Sequence, residues 1–150
     1  MPLKTKINDD LKDALKKGEK DKISALRLLL AQIHNQEIEK KGKKGESELD
    51  EDEVVALLQR ELKKRKESVE LFRKGQREDL AEREEKEAAL ITLYLPKQAS
   101  QEEIEKAVDE AIRGGMNDFG SVMKEVMQRL KGRADGKAVS STVKEKLGSS

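Results

Sequence analysis

The stretch Asp50-Glu51-Asp52-Glu53-Val54-Val55-Ala56-Leu57-Leu58, continued to Phe72, decides the fold. Asp50 followed by Glu53 reads as a capping box, and Leu49 against Val54 as a hydrophobic staple, so a helix starts here. Val54, Leu58, Leu62, Arg65, Val69 and Phe72 then recur at steps of three and four, the spacing of one helix face, until Gly75 closes the run. Leu80, Glu84, Ala88, Ile91 and Leu95 repeat that spacing and stop at Pro96. Two amphipathic helices on either side of residue 76 predict an antiparallel hairpin. In it Arg65 comes level with Glu87 and within a turn of Glu84, so an interhelical ion pair is expected, setting register more than stability.

The same periodicity extends in both directions. Leu3, Ile7, Leu11 and Leu15 share one side of a first helix ending near Gly18. Asp21 reads as the cap of a second, whose stripe is Ile23, Leu26, Leu30 and Ile33, widened by Ala25, Leu28 and Leu29. Gly42-Lys43-Lys44-Gly45 reads as a polar, flexible loop. Beyond Pro96, Ser100 with Glu103 forms another capping box, opening a fifth helix that runs to Gly114-Gly115. A sixth carries Val122, Met123, Val126, Met127 and Leu130. Gly132 breaks it, and Val139, Val143 and Leu147 mark a short seventh. No alternating strand pattern occurs. The expected fold is all-α, with a four-helix unit over residues 1–95 and a three-helix unit over 96–150.

Composition agrees with helices. Charged residues reach 42% and apolar residues only 35%, yet the charges alternate in sign and the apolar positions are periodic, which favours amphipathic helices over disorder. A net charge of +1 provides no global attraction to nucleic acid or to an anionic membrane. Charge segregates only locally: residues 96–118 are acidic on balance. Residues 124–146 hold Lys124, Arg129, Lys131, Arg133, Lys137, Lys144 and Lys146 against Glu125, Asp135 and Glu145, a net +4.

Residues for catalysis are hard to find. The chain has no cysteine, so no disulfide, thiolate nucleophile or Cys-based zinc site is possible. His34 is the sole histidine and reads as surface or packing. The turn Gly132-Arg133-Ala134-Asp135-Gly136-Lys137 departs from a phosphate loop in glycine spacing, in lacking a Ser/Thr after the lysine, and in lacking a preceding strand. It reads as a tight turn with Asp135 capping the last helix, while a basic turn at a helix start also suits an anion. Ser140-Ser141 beside Lys137 and Lys144 lacks the walled cavity that a Ser–Ser–Lys amidase requires. Phe72, Tyr94 and Phe119 sit on or beside apolar stripes, so core is expected over a base-stacking platform. No catalytic, cofactor-binding or metal-binding residue is identified, and no cofactor is expected. The opening residues Met1–Lys6 run straight into a charged amphipathic segment and no run is long enough to span a bilayer, so the expectation is a cytoplasmic protein with no membrane partner.

Four stretches together resemble the YqeY family: Leu26-Arg27-Leu28-Leu29 with Ile33 and Asn35; Gly75-Gln76-Arg77-Glu78-Asp79-Leu80 with Glu84 and Glu87; Tyr94-Leu95-Pro96; and Lys131-Gly132-Arg133-Ala134-Asp135-Gly136. That family comprises free-standing relatives of the tail domain of GatB, the B subunit of the glutamine-dependent aspartyl/glutamyl-tRNA amidotransferase. The resemblance covers nearly the whole chain. It implies a two-part helical fold and a link to tRNA-dependent amidation, a carbon–nitrogen ligase activity with glutamine as amido-N-donor whose catalytic parts are absent here. The expected function is therefore a non-catalytic tRNA- or RNA-binding accessory module, with Lys124, Arg129, Lys131, Arg133 and Lys137 as the contact surface. The alternatives are a protein-interaction adaptor docking through the helical hairpin, or a subunit of a ligase complex. Amidotransferase subunits or a tRNA synthetase are the protein partners these imply.

Overall fold

The structure, a computed structural model, describes residues 2–44 and 48–148, and among them there are seven helices and no strand. The helices are α1 (Leu3–Lys17), α2 (Lys20–Lys44), α3 (Glu51–Lys74), α4 (Glu78–Tyr94), α5 (Gln101–Arg113), α6 (Phe119–Arg129) and α7 (Gly136–Gly148). The all-α expectation holds. The chain divides into two compact units, Met1–Leu95 and Pro96–Ser150.

In the first unit α1 packs on α2, and α3 packs along the length of α4. Ile7, Leu26, Ile33, Val54, Leu58 and Ile91 form the centre of its apolar cluster, with Leu49 against the edge. Both arms of the capping box at α3 are present: Glu53 N donates to Asp50 Oδ1 at 2.8 Å and Asp50 N to Glu53 Oε1 at 3.1 Å. Lys40 reaches the same Glu53 oxygen at 2.7 Å. With the cap, that lysine holds the Glu53 carboxyl below its usual range. Buried Glu37 is held by Lys4 at 2.8 Å and accepts from Leu49 N at 3.3 Å. Tyr94 donates to Asp10 at 2.5 Å, joining the end of α4 to α1. Arg65 meets both expected partners, Glu84 at 3.0 Å and Glu87 at 2.8 Å, with all three side chains mostly buried.

Several local expectations need correction. α2 starts at Lys20, with Ile23 N bonded to Glu19 O, so Asp21 lies in its first turn and does not cap it. The left-handed Gly18 (φ +68) reverses the chain quickly enough for that early start. α2 also continues through Gly42 and Lys43 to Lys44, where a polar loop was expected, because one glycine costs only about 1 kcal/mol in an otherwise helical run. Gly45 lies outside the described residues. At the hairpin tip the left-handed residue is Gln76 (φ +60), while Gly75 keeps φ −84. Leu15 and Leu28 are 47% and 38% exposed, at the edge of stripes expected to be buried.

The second unit is α5, α6 and α7, each packed on the other two. Val108, Val122, Val126, Val139 and Val143 are completely buried at its centre. The Ser100–Glu103 capping box is present. Asp118 caps α6, its carboxylate accepting from Ser121 N at 2.9 Å. Phe119, expected in the core, is 41% exposed and lies beneath the Lys144 ammonium, 5.9 Å from its ring centre.

Candidate nucleic-acid interface

All five candidate RNA-contacting residues fall in the second unit, on α6, on the turn after it and at the start of α7. α6 buries Val122 and Val126, which turns Lys124 and Arg129 outward. Five residues of α-helix separate these two by about 140° around the axis, so they flank opposite sides of α6. The Lys124 side chain is exposed with no partner among the described residues, and so is that of Lys137. Lys131 is exposed in the turn.

The two arginines have a different fate. Arg129 Nε donates to Glu125 and its Nη1 to Glu110 of α5, each at 2.9 Å. Arg133 Nη2 donates to Glu103 Oε2 at 2.6 Å and its Nε to the Lys97 carbonyl at 2.8 Å. That hydrogen bond from Arg133, with the Ser100 backbone bond, holds the Glu103 carboxyl below its usual range. Ala99 N also donates to the Arg133 carbonyl at 2.6 Å, and Gln98 Nε2 to the Gly132 carbonyl at 3.2 Å. Residues 97–99 thus form a strap fastened to the turn. Gly132 permits the turn because its φ of +74 is strained for other residues.

The turn caps α7 as the tight-turn reading expects. Asp135 O accepts from Val139 N at 3.1 Å, and Asp135 Oδ1 accepts from Lys137 N at 3.3 Å. The N-terminus of α7 therefore already faces a carboxylate of its own.

Sequence reasoning missed the part played by α5. The acidic segment 96–118 folds against the basic segment 124–146, so that Glu103 meets Arg133, Asp109 meets Lys146 at 3.4 Å, and Glu110 meets Arg129. The signal was available, since a net-acidic and a net-basic stretch stand side by side in the chain. Lys124 and Lys137 stay exposed outside these pairs.

The first unit carries a second feature, a groove of about 890 Å³ between the first turns of α2 and the exposed face of α4. Ala25, Leu90 and Leu93 line it, with Asp21, Glu82, Arg83 and Lys86 at its charged edges. His34 is exposed. No group of three or more His, Cys, Asp or Glu side chains among the described residues is placed to hold a metal ion. No described helix is long and apolar enough to cross a membrane.

Comparison with known proteins finds relatives of this sequence. The chain is similar to altered inheritance of mitochondria protein 41, mitochondrial, of Pyrenophora tritici-repentis, 31% identical over 150 residues, or 95% of this chain and 80% of the relative. The protein of the same name from Lachancea thermotolerans is 36% identical over 108 residues, 71% of this chain and 56% of the relative. A shorter similarity, 39% over 56 residues, is to the E subunit of the glutamyl-tRNA(Gln) amidotransferase of Thermococcus gammatolerans; it spans 32% of this chain and 9% of that relative. The resemblance to an amidotransferase thus finds a counterpart, in the E subunit where the B subunit was expected. The family model described as YqeY-like protein matches residues 4–147, and the chain belongs to that family.

Proposed function

We propose that the chain is an accessory module without chemistry of its own, which binds tRNA or another structured RNA through lysines of its second unit in the service of tRNA-dependent amidation. The observation that carries this reading is the outward display of Lys124, Lys131 and Lys137 around α6 and the turn into α7. The similarity of a third of the chain to part of a glutamyl-tRNA(Gln) amidotransferase supports it. Lysine ammonium groups act as point charges on phosphates, and with so few aromatic side chains recognition runs through backbone and shape. Arg129 and Arg133, already bonded to carboxylates, contribute less than their charge suggests.

A titration of bulk tRNA against the purified chain at several salt concentrations tests this. Neutralising three phosphates gives a log–log salt slope of about −3. Replacing Lys124, Lys131 and Lys137 with Ala should flatten the slope and weaken binding to all tRNAs alike. Absence of binding at low salt, or an unchanged slope in the triple variant, defeats the reading.

The groove between α2 and α4 favours a second reading, an adaptor docking through the helical hairpin, because Leu93 is 72% exposed on its wall. Salt-insensitive capture of an amidotransferase subunit or a tRNA synthetase, abolished by Leu93→Asp, supports the adaptor over the RNA module. We place the work in the cytoplasm, although the fungal relatives carry a mitochondrial name. Fractionation of cells expressing the tagged chain decides the compartment.

A further inference from the structure

We propose that Glu103 is an intramolecular stand-in for phosphate, holding Arg133 shut as an anion site until a nucleic-acid phosphate displaces it; this rests on the RNA reading above. A guanidinium pairs with a carboxylate and with a phosphate through the same planar fork of donors. In the turn before α7 that fork is taken by Glu103 Oε2 and the Lys97 carbonyl. The pair is reachable from solvent, the Arg133 and Glu103 side chains being 32% and 41% exposed.

Opening the pair requires no refolding. Glu103 keeps its place without Arg133, because its Oε1 accepts from Ser100 N at 3.4 Å while its own N–H bonds to Ser100 Oγ at 3.1 Å. The strap keeps the bond from Ala99 N to the Arg133 carbonyl and that from Gln98 to the Gly132 carbonyl, neither of which uses the guanidinium. An exposed ion pair is weak and screened by salt, so a phosphate brought close by Lys131 and Lys137 competes on favourable terms. Only the side chain of Arg133 has to turn.

Glu103→Gln tests the proposal, since glutamine also serves a capping box but carries no charge. In a tRNA titration of the full chain, Glu103→Gln should bind about three- to tenfold more tightly than the parent, because no carboxylate then competes with the phosphate for the Arg133 guanidinium. The double variant Glu103→Gln with Arg133→Ala should bind no more tightly than the parent. A gain that survives in the double variant reflects charge removal alone and overturns the proposal. A parent that binds tRNA with no gain in Glu103→Gln overturns the proposal and leaves the RNA reading standing, whereas no binding by either chain removes both. On the unaltered chain, the Arg133 Nε–H resonance should shift as tRNA is added. A resonance that stays in place at saturating tRNA also overturns the proposal.

Discussion

Arg65 shows how a single polar residue on an apolar stripe declares its partner. Its position among Leu62, Val69 and Phe72 implies a carboxylate on the facing helix, and Glu84 and Glu87 are both there. Only Glu84 is aligned for hydrogen bonding, through two contacts of 3.0 and 3.3 Å. Glu87 Oε2 is buried and lies 2.8 Å from the guanidinium without a hydrogen bond, so its attraction is electrostatic. A double-mutant cycle on Arg65→Ala with Glu84→Ala should therefore give the larger coupling. Its size should be about 1–3 kcal/mol, above that of an exposed pair and below the cost of breaking a fully buried one. Equal couplings, or couplings near zero, contradict this geometry. Gln76 supplies a second residue-scale prediction. A non-glycine at φ +60 carries about 1 kcal/mol of strain, so Gln76→Gly should raise the denaturation midpoint, while Gly75→Ala at φ −84 should leave it unchanged or higher. A lower midpoint for Gln76→Gly refutes the assignment of strain to that residue.

Helix ends were the most readable part of this chain, because a cap needs only a side chain and the backbone three residues away. The boxes at Asp50–Glu53 and Ser100–Glu103 form where the sequence places them. Asp50→Ala and Ser100→Ala should each destabilise by about 1 kcal/mol in chemical denaturation, and a loss below about 0.3 in either shows that solvent replaces that cap. The start of α2 and its extension past Gly42 were less readable, since there propensity and turn geometry compete without a decisive side chain. Acid titration reports on the caps as well. Glu53, Glu103 and Asp118 all have carboxyl pKa values lowered, chiefly by Lys40, by Arg133 and by the Ser121 N–H respectively. A carboxylate with a lowered folded pKa stabilises at pH values above its unfolded one and loses that contribution as pH falls through the folded value. The melting temperature should accordingly hold from pH 7 to about 5 and fall below about pH 4.3. In Arg133→Ala the fall attributable to Glu103 should be smaller, because its folded pKa then lies closer to the unfolded one; an identical acid limb means the pair does not influence Glu103.

At the level of the whole molecule, each unit encloses its own apolar cluster, one centred on Leu26, Ile33 and Leu58 and the other on Val108, Val126 and Val143. Residues 1–95 expressed alone should therefore keep their helical circular dichroism and melt cooperatively. Residues 96–150 should fold with a lower midpoint, because so small a unit buries a smaller share of its surface. A fragment 1–95 without a cooperative transition contradicts two self-sufficient cores. Charge is also a property of the whole, and here counting along the chain misleads. The net +4 of residues 124–146 promised a strong anion surface, yet α5 brings Glu103, Asp109 and Glu110 against three of those seven cations. What the sequence by itself determined was the helical class, the helix faces, both capping boxes, the Arg65 pair and the family, all of which depend on spacing within one helix or across one hairpin. What only the tertiary structure decided was which cations face solvent and which are already paired. Coulomb attraction depends on distance in space, and Glu103 and Arg133, thirty residues apart in the chain, meet only after α5, α6 and α7 have packed on their valine core.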